Sequence, residues 1–177
     1  MQLLPYTDAD QQLTEALETD SDVMRELGGP IPRSEIPRIH RRRLGDPWWF
    51  KIAIEPDGPA AGTIGIWEKD FRGATLHETG WMVLPEYQGR GVASAALALL
   101  IERVRAEPRF DSMHAFPPVT NTPSNALCRK FGFSLLEQAD FVYAGRTLHC
   151  NHWALETPPG SGVAPPGGAT PGAYFQT

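Results

Sequence analysis

The chain has 177 residues, a length that suits one domain with a complete hydrophobic core. Its formal net charge of -5 argues against a general nucleic-acid binder, because such proteins are normally basic. Hydrophobic residues make up 41% of the chain, an ordinary share for a globular protein, and no apolar run approaches the about 18 residues that a membrane span needs. Two cysteines, Cys128 and Cys150, and no apolar leader predict a reducing, cytoplasmic location without a disulfide framework.

The first 47 residues predict one strand and three helices. The strand covers 2–6, and Asp8 to Asp10 supplies N-cap candidates for the first helix. The second helix is expected between Ser21 and the glycine at 28, and the third begins at Ser34. The third helix concentrates basic side chains, for which a solvated face is favoured over an anion site. They are Arg38, His40, Arg41, Arg42 and Arg43.

A three-stranded meander is predicted next. Residues 48–54 and 62–71 are rich in β-prone side chains and are separated by a turn signal at 55–58. The third strand, 76–84, is closed by a proline, which cannot donate to a ladder. Trp48 and Trp49 are candidates for the wall of an acceptor pocket. Because neighbouring side chains in a strand point to opposite faces, we expect one in the core and one on the pocket.

A glycine loop joins the third strand to a helix. Gly89 and Gly91 lack a Cβ where a backbone would approach a ligand, and the first N–H groups of a helix have no internal partners. Such a helix start attracts phosphate, and Arg90 adds a positive charge. A tight turn without a ligand is the alternative. The loop lacks the Gly-Lys-Ser/Thr of a nucleoside-triphosphate loop and the third glycine of a dinucleotide fingerprint.

The remaining elements follow the loop. Apolar residues at helical spacing from Leu97 to Val104 predict a helix. A short strand at 112–117 returns to the sheet parallel to the strand before the helix. A further helix begins at the cap Asn121, and a hairpin of 133–143 and 146–155 closes the domain. Residues 157–177 are rich in Pro and Gly and are expected to form a disordered tail.

Three motifs support a family resemblance. Gln88-x-x-Gly91-x-Ala93 resembles the acyl-CoA pyrophosphate loop of the GNAT superfamily of N-acyltransferases. Asn121-x-x-Ser124, followed by the run 129–133, resembles the next helix and strand of that superfamily. The run 78–81, Glu-Thr-Gly-Trp, lies where many members have a similar run. Together they look most like the branch of ribosomal-protein N-terminal acetyltransferases, which also contains enzymes for small amines and antibiotics.

The resemblance implies an α/β (α+β) fold. A mixed, mostly antiparallel central sheet would be flanked by helices and splayed between two parallel strands, with acyl-CoA in the split. Residues 1–156 would form one domain. Main-chain amides of the loop would hold the pyrophosphate, and the strand before it would pair with the pantetheine arm and polarise the thioester. The implied cofactor contacts are Met82, Val83, Leu84, Gln88, Gly89, Arg90, Gly91, Val92, Ala93, Asn121 and Ser124.

The resemblance also implies roles in catalysis. Glu78 matches the acidic residue of the family and is the candidate base that takes the proton of an amine, directly or through a water. Its alternatives are an exposed strand residue or a partner of a neighbouring charge. Cys128 occupies the position at which many members have a tyrosine that protonates the leaving thiolate. A buried cysteine is otherwise an inert small hydrophobe, and Tyr87 and Tyr143 are weaker candidates for the acid.

The sequence therefore predicts an acetyl-CoA-dependent N-acetyltransferase that needs no metal. The acceptor is a protein N-terminal amine or a small primary amine, chosen by 27–50 and the last hairpin. No nucleic-acid or membrane partner is expected, and a homodimer is left open. The competing interpretation is a non-catalytic acyl-CoA-binding module, which Cys128 at the usual tyrosine position favours.

Overall fold

The computed structural model describes residues 1–55, 58–143 and 145–158. Seven strands form one sheet in the order β1-β2-β3-β4-β5-β7-β6. The strands are β1 (Gln2–Pro5), β2 (Trp49–Ala53), β3 (Ala60–Phe71), β4 (Ala74–Val83), β5 (Ser112–Ala115), β6 (Ser134–Tyr143) and β7 (Arg146–Glu156). The helices are α1 (Gln11–Thr19), α2 (Ile36–Leu44), α3 (Val92–Arg105) and α4 (Thr122–Lys130).

The sheet is splayed between β4 and β5. All other neighbouring strands are antiparallel, including the β2-β3-β4 meander. The parallel pair β4 and β5 is in register only at Glu78 and His114, so the strands separate beyond that point. Helix α3 makes the crossover that a parallel pair requires. The mixed, mostly antiparallel fold implied by the sequence is confirmed.

The main core lies between the sheet and α3. The helix buries its apolar stripe at Leu97, Leu100, Ile101 and Val104, all at most 5% exposed. Cys128 of α4 is part of the same cluster. The predicted periodicity of α3 is therefore confirmed, and this packing fixes the start of the helix beside the split.

The prediction of a second helix, after Ser21, is wrong. The segment after α1 contains only a 3₁₀ turn at Arg25–Leu27, which ends at Gly28 with φ 89°. Asp20 Oδ1 accepts the amides of Asp22 and Val23 at 2.8 and 2.9 Å. These two local hydrogen bonds stabilise a turn instead of a helix, because a side chain that accepts from two amides competes with the hydrogen bonds of a helix.

The prediction of a solvated face for the basic stretch is wrong for two residues. Arg38, Arg41 and Arg42 are exposed, but His40 and Arg43 are only 3% and 2% exposed. His40 Nδ1 lies 2.7 Å from the Tyr6 hydroxyl. Arg43 bonds to Glu18, which is fully buried on α1. A buried guanidinium requires a partner, and for Arg43 α1 supplies it.

Three predicted features fall on undescribed residues. Residues 56 and 57 of the first turn signal, residue 144 of the last hairpin turn and 159–177 of the predicted tail lie outside the described ranges. Thr157, the first residue of that tail, is fully buried. Its amide donates to Asp111 O at 2.8 Å and its hydroxyl to Phe110 O at 3.1 Å, so Thr157 itself is bound to the domain.

Candidate functional site

A cavity of about 690 Å³ opens where β4 and β5 separate. Its volume falls in the range of small-molecule sites, roughly 300–1,000 Å³. One end is lined by the glycine loop and the start of α4, and the other by β3, β4 and the last hairpin. The split therefore connects the predicted phosphate loop with the predicted catalytic strand.

The glycine loop adopts a backbone conformation that favours glycine. Gly89 and Gly91 adopt φ of 70° and 78°, which side chains with a Cβ rarely adopt. A Cβ at either position would meet nothing within 4 Å, so the space beside the backbone is open to a ligand. Gly91 is the N-cap of α3, and the amides of Val92 and Ala93 belong to the first turn, which has no internal acceptors.

Gln88 ties the loop to the end of β4. Its Nε2 donates to Val83 O at 2.8 Å. On the opposite side of the strand, the Leu84 amide donates to Ala61 O at 2.9 Å, toward β3. Because main-chain groups alternate along a strand, those of Met82 also face β3, whereas those of Trp81 and Val83 face the split. Met82 lines the cavity with its side chain, and the Leu84 amide is already used within the sheet.

The second motif starts α4 beside the cavity. Asn121 Oδ1 accepts the Ser124 amide at 3.1 Å, as an N-cap does, and both residues line the cavity. Lys130, at the end of the helix, donates to Ser94 Oγ at 2.7 Å, in the first turn of α3. A basic side chain therefore lies next to the predicted phosphate site.

Sequence reasoning missed Asn125, which holds α4 to β7. This residue is 3% exposed, and its amide nitrogen donates to Pro118 O and Asn121 O, both at 2.8 Å. Its Oδ1 accepts from Asn151 at 2.7 Å and from Trp153 at 2.8 Å. An amide side chain at a core-facing position of a short helix was the available signal. The bonds fix one wall of the cavity.

Glu78 lines the cavity and also pairs with a neighbouring charge. Its side chain is 16% exposed and lies 2.9 Å from Lys69 Nζ through Oε2. Trp67 Nε1 donates to the same oxygen at 3.2 Å. The charge-pairing alternative is thus present in the structure, yet the carboxylate remains on the wall of the cavity. No hydrogen bond from the described residues reaches Oε1.

The candidate acids lie in different environments. Cys128 is fully buried in the core and does not line the cavity, and burial raises the pKa of its thiol to about 12. This placement favours the interpretation of Cys128 as an inert core residue over its interpretation as the general acid. Tyr87 and Tyr143 both line the cavity, and burial raises the pKa of Tyr143 to about 12. Cys150 is buried and also lines the cavity, and burial raises its pKa to about 11.

The adjacent tryptophans point to opposite faces. Trp49 lines the cavity and stacks on Trp67 with ring centroids 4.8 Å apart. The Arg43 guanidinium lies 4.9 Å from the Trp49 ring centroid. Trp48 instead packs edge-on against Phe110 at 4.6 Å and belongs to the core contacts of the α3 side. Of these two tryptophans, Trp49 therefore lines the cavity and Trp48 does not.

The described ranges bear on two other kinds of functional feature, a metal site and a membrane span. They hold no group of three or more His, Cys, Asp or Glu side chains arranged to bind a metal ion. Within the same ranges no helix is long and apolar enough to cross a membrane. The cavity in the split is thus the feature that carries a functional interpretation.

A glycine loop at a helix start, open to a large cavity in a splayed sheet, defines a protein that binds a phosphorylated cosubstrate. Residues 1–134 match the family model of the acetyltransferase (GNAT) domain. The chain belongs to this family, and acetyl-CoA is its cosubstrate. Among curated proteins, no sequence relative matches.

Solved structures share the fold. Spermidine N-acetyltransferase from Vibrio cholerae, in complex with CoA and spermine, is 15% identical over 88% of this chain and 95% of its own, with a TM-score of 0.71. Ribosomal-protein-alanine N-acetyltransferase from Brucella melitensis is 22% identical over 88% and 99%, with a TM-score of 0.70. Phosphinothricin acetyltransferase from Sinorhizobium meliloti, in complex with acetyl-CoA, is 23% identical over 93% and 95%, also at 0.70. At these identities the likeness establishes the fold alone.

Proposed function

We propose that the protein transfers an acetyl group from acetyl-CoA to a primary amine by direct attack in a ternary complex. The observation that carries this proposal is Glu78, a carboxylate with one uncommitted oxygen on the wall of the cavity that begins at the glycine loop. Family membership supports acyl transfer, and the carboxylate supplies the proton acceptor that an amine nucleophile requires.

The loop residues fit a diphosphate. Open space beside Gly89 and Gly91 admits the phosphates, and the amides of the first turn of α3 face them with the positive end of the helix dipole. Arg90 and Lys130 add positive charge. The inward main-chain groups of Trp81 and Val83 bind the pantetheine arm as an added strand would, and an amide there polarises the carbonyl of the thioester.

The acetyl thioester supplies an activated acyl group when it is bound. Glu78 Oε1 accepts a proton from the amine, directly or through a water, so that the nitrogen presents a lone pair. Tyr143 and Tyr87, whose side chains both belong to residues that line the cavity, are the candidates to donate a proton to the departing sulfur. Because Cys128 is outside the cavity, we assign it no proton transfer.

The acceptor we propose is a protein N-terminal amine, as in the ribosomal-protein branch, or a small-molecule amine. The run 78–81 and the second motif support that branch. The three structural relatives are named for a polyamine, a ribosomal protein and phosphinothricin, so the shared fold is compatible with several acceptors. Side chains at the acceptor end, such as Trp49, Phe141 and Tyr143, make the choice in this chain.

A thiol-release assay with a panel of amines and N-terminal peptides tests the proposal, together with Glu78→Gln. We expect the substitution to lower kcat about 10²- to 10⁴-fold because the proton acceptor is lost. Affinity for acetyl-CoA, measured by calorimetry, should stay within about twofold because the loop is unchanged. Glu68→Gln is the matched control, since Glu68 is an exposed carboxylate on the neighbouring strand.

The alternative is a regulatory module that binds acyl-CoA without turnover. Its supporting observation is Cys128 at the position where the family usually has the acid. An unmutated protein that binds acetyl-CoA but releases no CoA with any amine of the panel would establish this alternative. Turnover that survives Glu78→Gln would instead remove Glu78 from the mechanism.

A further inference from the structure

We propose that Lys69 and Trp67 are positioning residues for Glu78. Both approach from β3: Lys69 Nζ forms an ion pair with Oε2 at 2.9 Å, and Trp67 Nε1 donates a hydrogen bond to it at 3.2 Å. Trp67 is the direct cross-strand partner of Glu78, and Lys69 lies two residues farther along the same face. Together they hold one carboxylate oxygen and leave Oε1 to the acceptor amine. The inference rests on the proposed role of Glu78 as the base.

The tryptophan is itself held in place. Its ring stacks on Trp49 with centroids 4.8 Å apart and an interplanar angle of 28°. The ring also lies over Gly80, where a Cβ would come within 2.9 Å of Trp67 Cη2. The glycine of the 78–81 run therefore admits the indole that donates to Glu78. A ring packed on both sides keeps its N–H in one direction, as a positioning group requires.

The lysine is held by aromatic faces. Its Nζ lies 4.8 Å from the Phe141 ring centroid and 5.5 Å from that of Phe116. The Lys69 and Glu78 side chains are 28% and 16% exposed, so solvent screens this pair less than a surface pair. The aromatic contacts therefore keep the ammonium beside Glu78 Oε2.

The competing explanation is an ion pair that only joins β3 to β4. Both explanations predict some loss of stability when Lys69 is changed, but only positioning predicts a selective loss of kcat. The chain offers a matched pair for comparison in Lys51 and Asp10, which also lie 2.9 Å apart with side chains 23% and 9% exposed. Neither residue lines the cavity.

The experiment compares Lys69→Met, Lys69→Arg and Trp67→Phe with Lys51→Met on the best amine of the panel. We expect Lys69→Met to lower kcat about 10- to 100-fold, because a misplaced base loses reactive geometry, while the KM for acetyl-CoA stays within about twofold. Lys69→Arg should recover most of the loss because it keeps the charge. Trp67→Phe keeps the stacked ring but removes the donor and should lower kcat several-fold.

The outcomes separate the two proposals. Lys51→Met should lose thermal stability to a similar extent but keep its kcat. If Lys69→Met keeps kcat within about twofold of an active wild type, or Lys51→Met loses as much, the positioning role is overturned and acetyl transfer stands. If the wild type acetylates no amine, or Glu78→Gln remains fully active, the proposed function or the role of the base fails first, and positioning fails with it.

Discussion

The two ends of the cavity are built differently. The cosubstrate end consists of main-chain groups in one continuous stretch, from the end of β4 to the first turn of α3. The acceptor end consists of side chains from α2, β2, β3, β4 and the last hairpin, which are far apart in sequence. The charged side chains at this end form ion pairs between different elements: Arg43 pairs with Glu18, and Lys69 pairs with Glu78.

This difference determines which part of the site can be recognised from the sequence. A backbone site needs glycines and a helix start at fixed local spacing, so its signal is a short motif. A side-chain site depends on tertiary contacts, so no local pattern contains it. Substitutions at the acceptor end should therefore affect stability, whereas substitutions at the cosubstrate end should affect affinity for CoA.

The largest expected effect is the loss of the buried ion pair at the acceptor end. Arg43→Met should lower the free energy of unfolding by about 3–5 kcal/mol, because it leaves the Glu18 carboxylate buried without its partner. Urea unfolding followed by circular dichroism measures this. Arg42→Met is the control, since Arg42 is exposed on the same helix and should change stability by no more than about 0.5 kcal/mol. Equal losses in both variants would contradict the assigned role of burial.

At the cosubstrate end we expect a loss of affinity. Gly91→Val should weaken CoA binding about 100-fold, because a β-branched side chain is strained at φ 78° and projects into the open space beside the loop. Gly73→Val provides the backbone control, since Gly73 has φ 79° and open space but does not line the cavity. Calorimetric titration with CoA measures the affinity. A Gly91→Val protein that is folded and binds CoA normally would refute the phosphate assignment.

Cys128 should matter for packing and little for turnover. Cys128→Ala removes a buried sulfur from the core, and we expect a loss of about 1 kcal/mol in unfolding free energy. Because the thiol lies outside the cavity, kcat should remain within about twofold of the wild type. Steady-state kinetics and thermal melts on the same preparation separate the two effects. A large drop in kcat with unchanged stability would restore the acid that the family resemblance implies.

The smallest expected effect is a pH dependence near β5. His114 Nδ1 lies 2.9 Å from His152 Nε2, and burial lowers the pKa of both, with the charge of His152 further lowering that of His114. The unfolded chain takes up protons as the pH falls through about 6.5 while the folded pair resists them, so stability is present above that pH and is lost below it.

His152→Gln should therefore reduce the decline in unfolding free energy between about pH 7.5 and pH 5.5. Thr147→Val, at an exposed position on the same strand that carries no titratable group, should leave the decline unchanged. Urea midpoints across this range test the difference. A steeper decline in His152→Gln would show that the sign of the linkage is wrong.

The elements of the fold could be predicted because their signals are local. The period of α3, the cap at Asn121 and the glycine loop each depend on neighbouring residues, and the structure has all three. The helix predicted after Ser21 failed because the Asp20 side chain bonds two amides and stabilises a turn. Propensity at eight residues is too weak to decide between these outcomes.

The side-chain contacts at the acceptor end of the cavity could not be predicted from the sequence. Arg43 lies in a run of basic residues, which is typical of a solvated helix face. Its burial depends on Glu18, 25 residues earlier in the chain. The partners of Glu78 on β3 depend on the register of a hairpin, which the sequence leaves undefined. Similarly, the role of Asn125 appears only once α4 is packed against β7.

The anchored threonine at position 157 has a practical consequence for any tethered version of the protein. Its bonds to Phe110 and Asp111 hold the chain at the beginning of β5, whereas the cavity lies at the other end of that strand. A reporter or immobilising group fused directly after residue 158 therefore starts at the end of β5 opposite the cavity. Acceptor screening on a surface can use this attachment and leave the entrance clear.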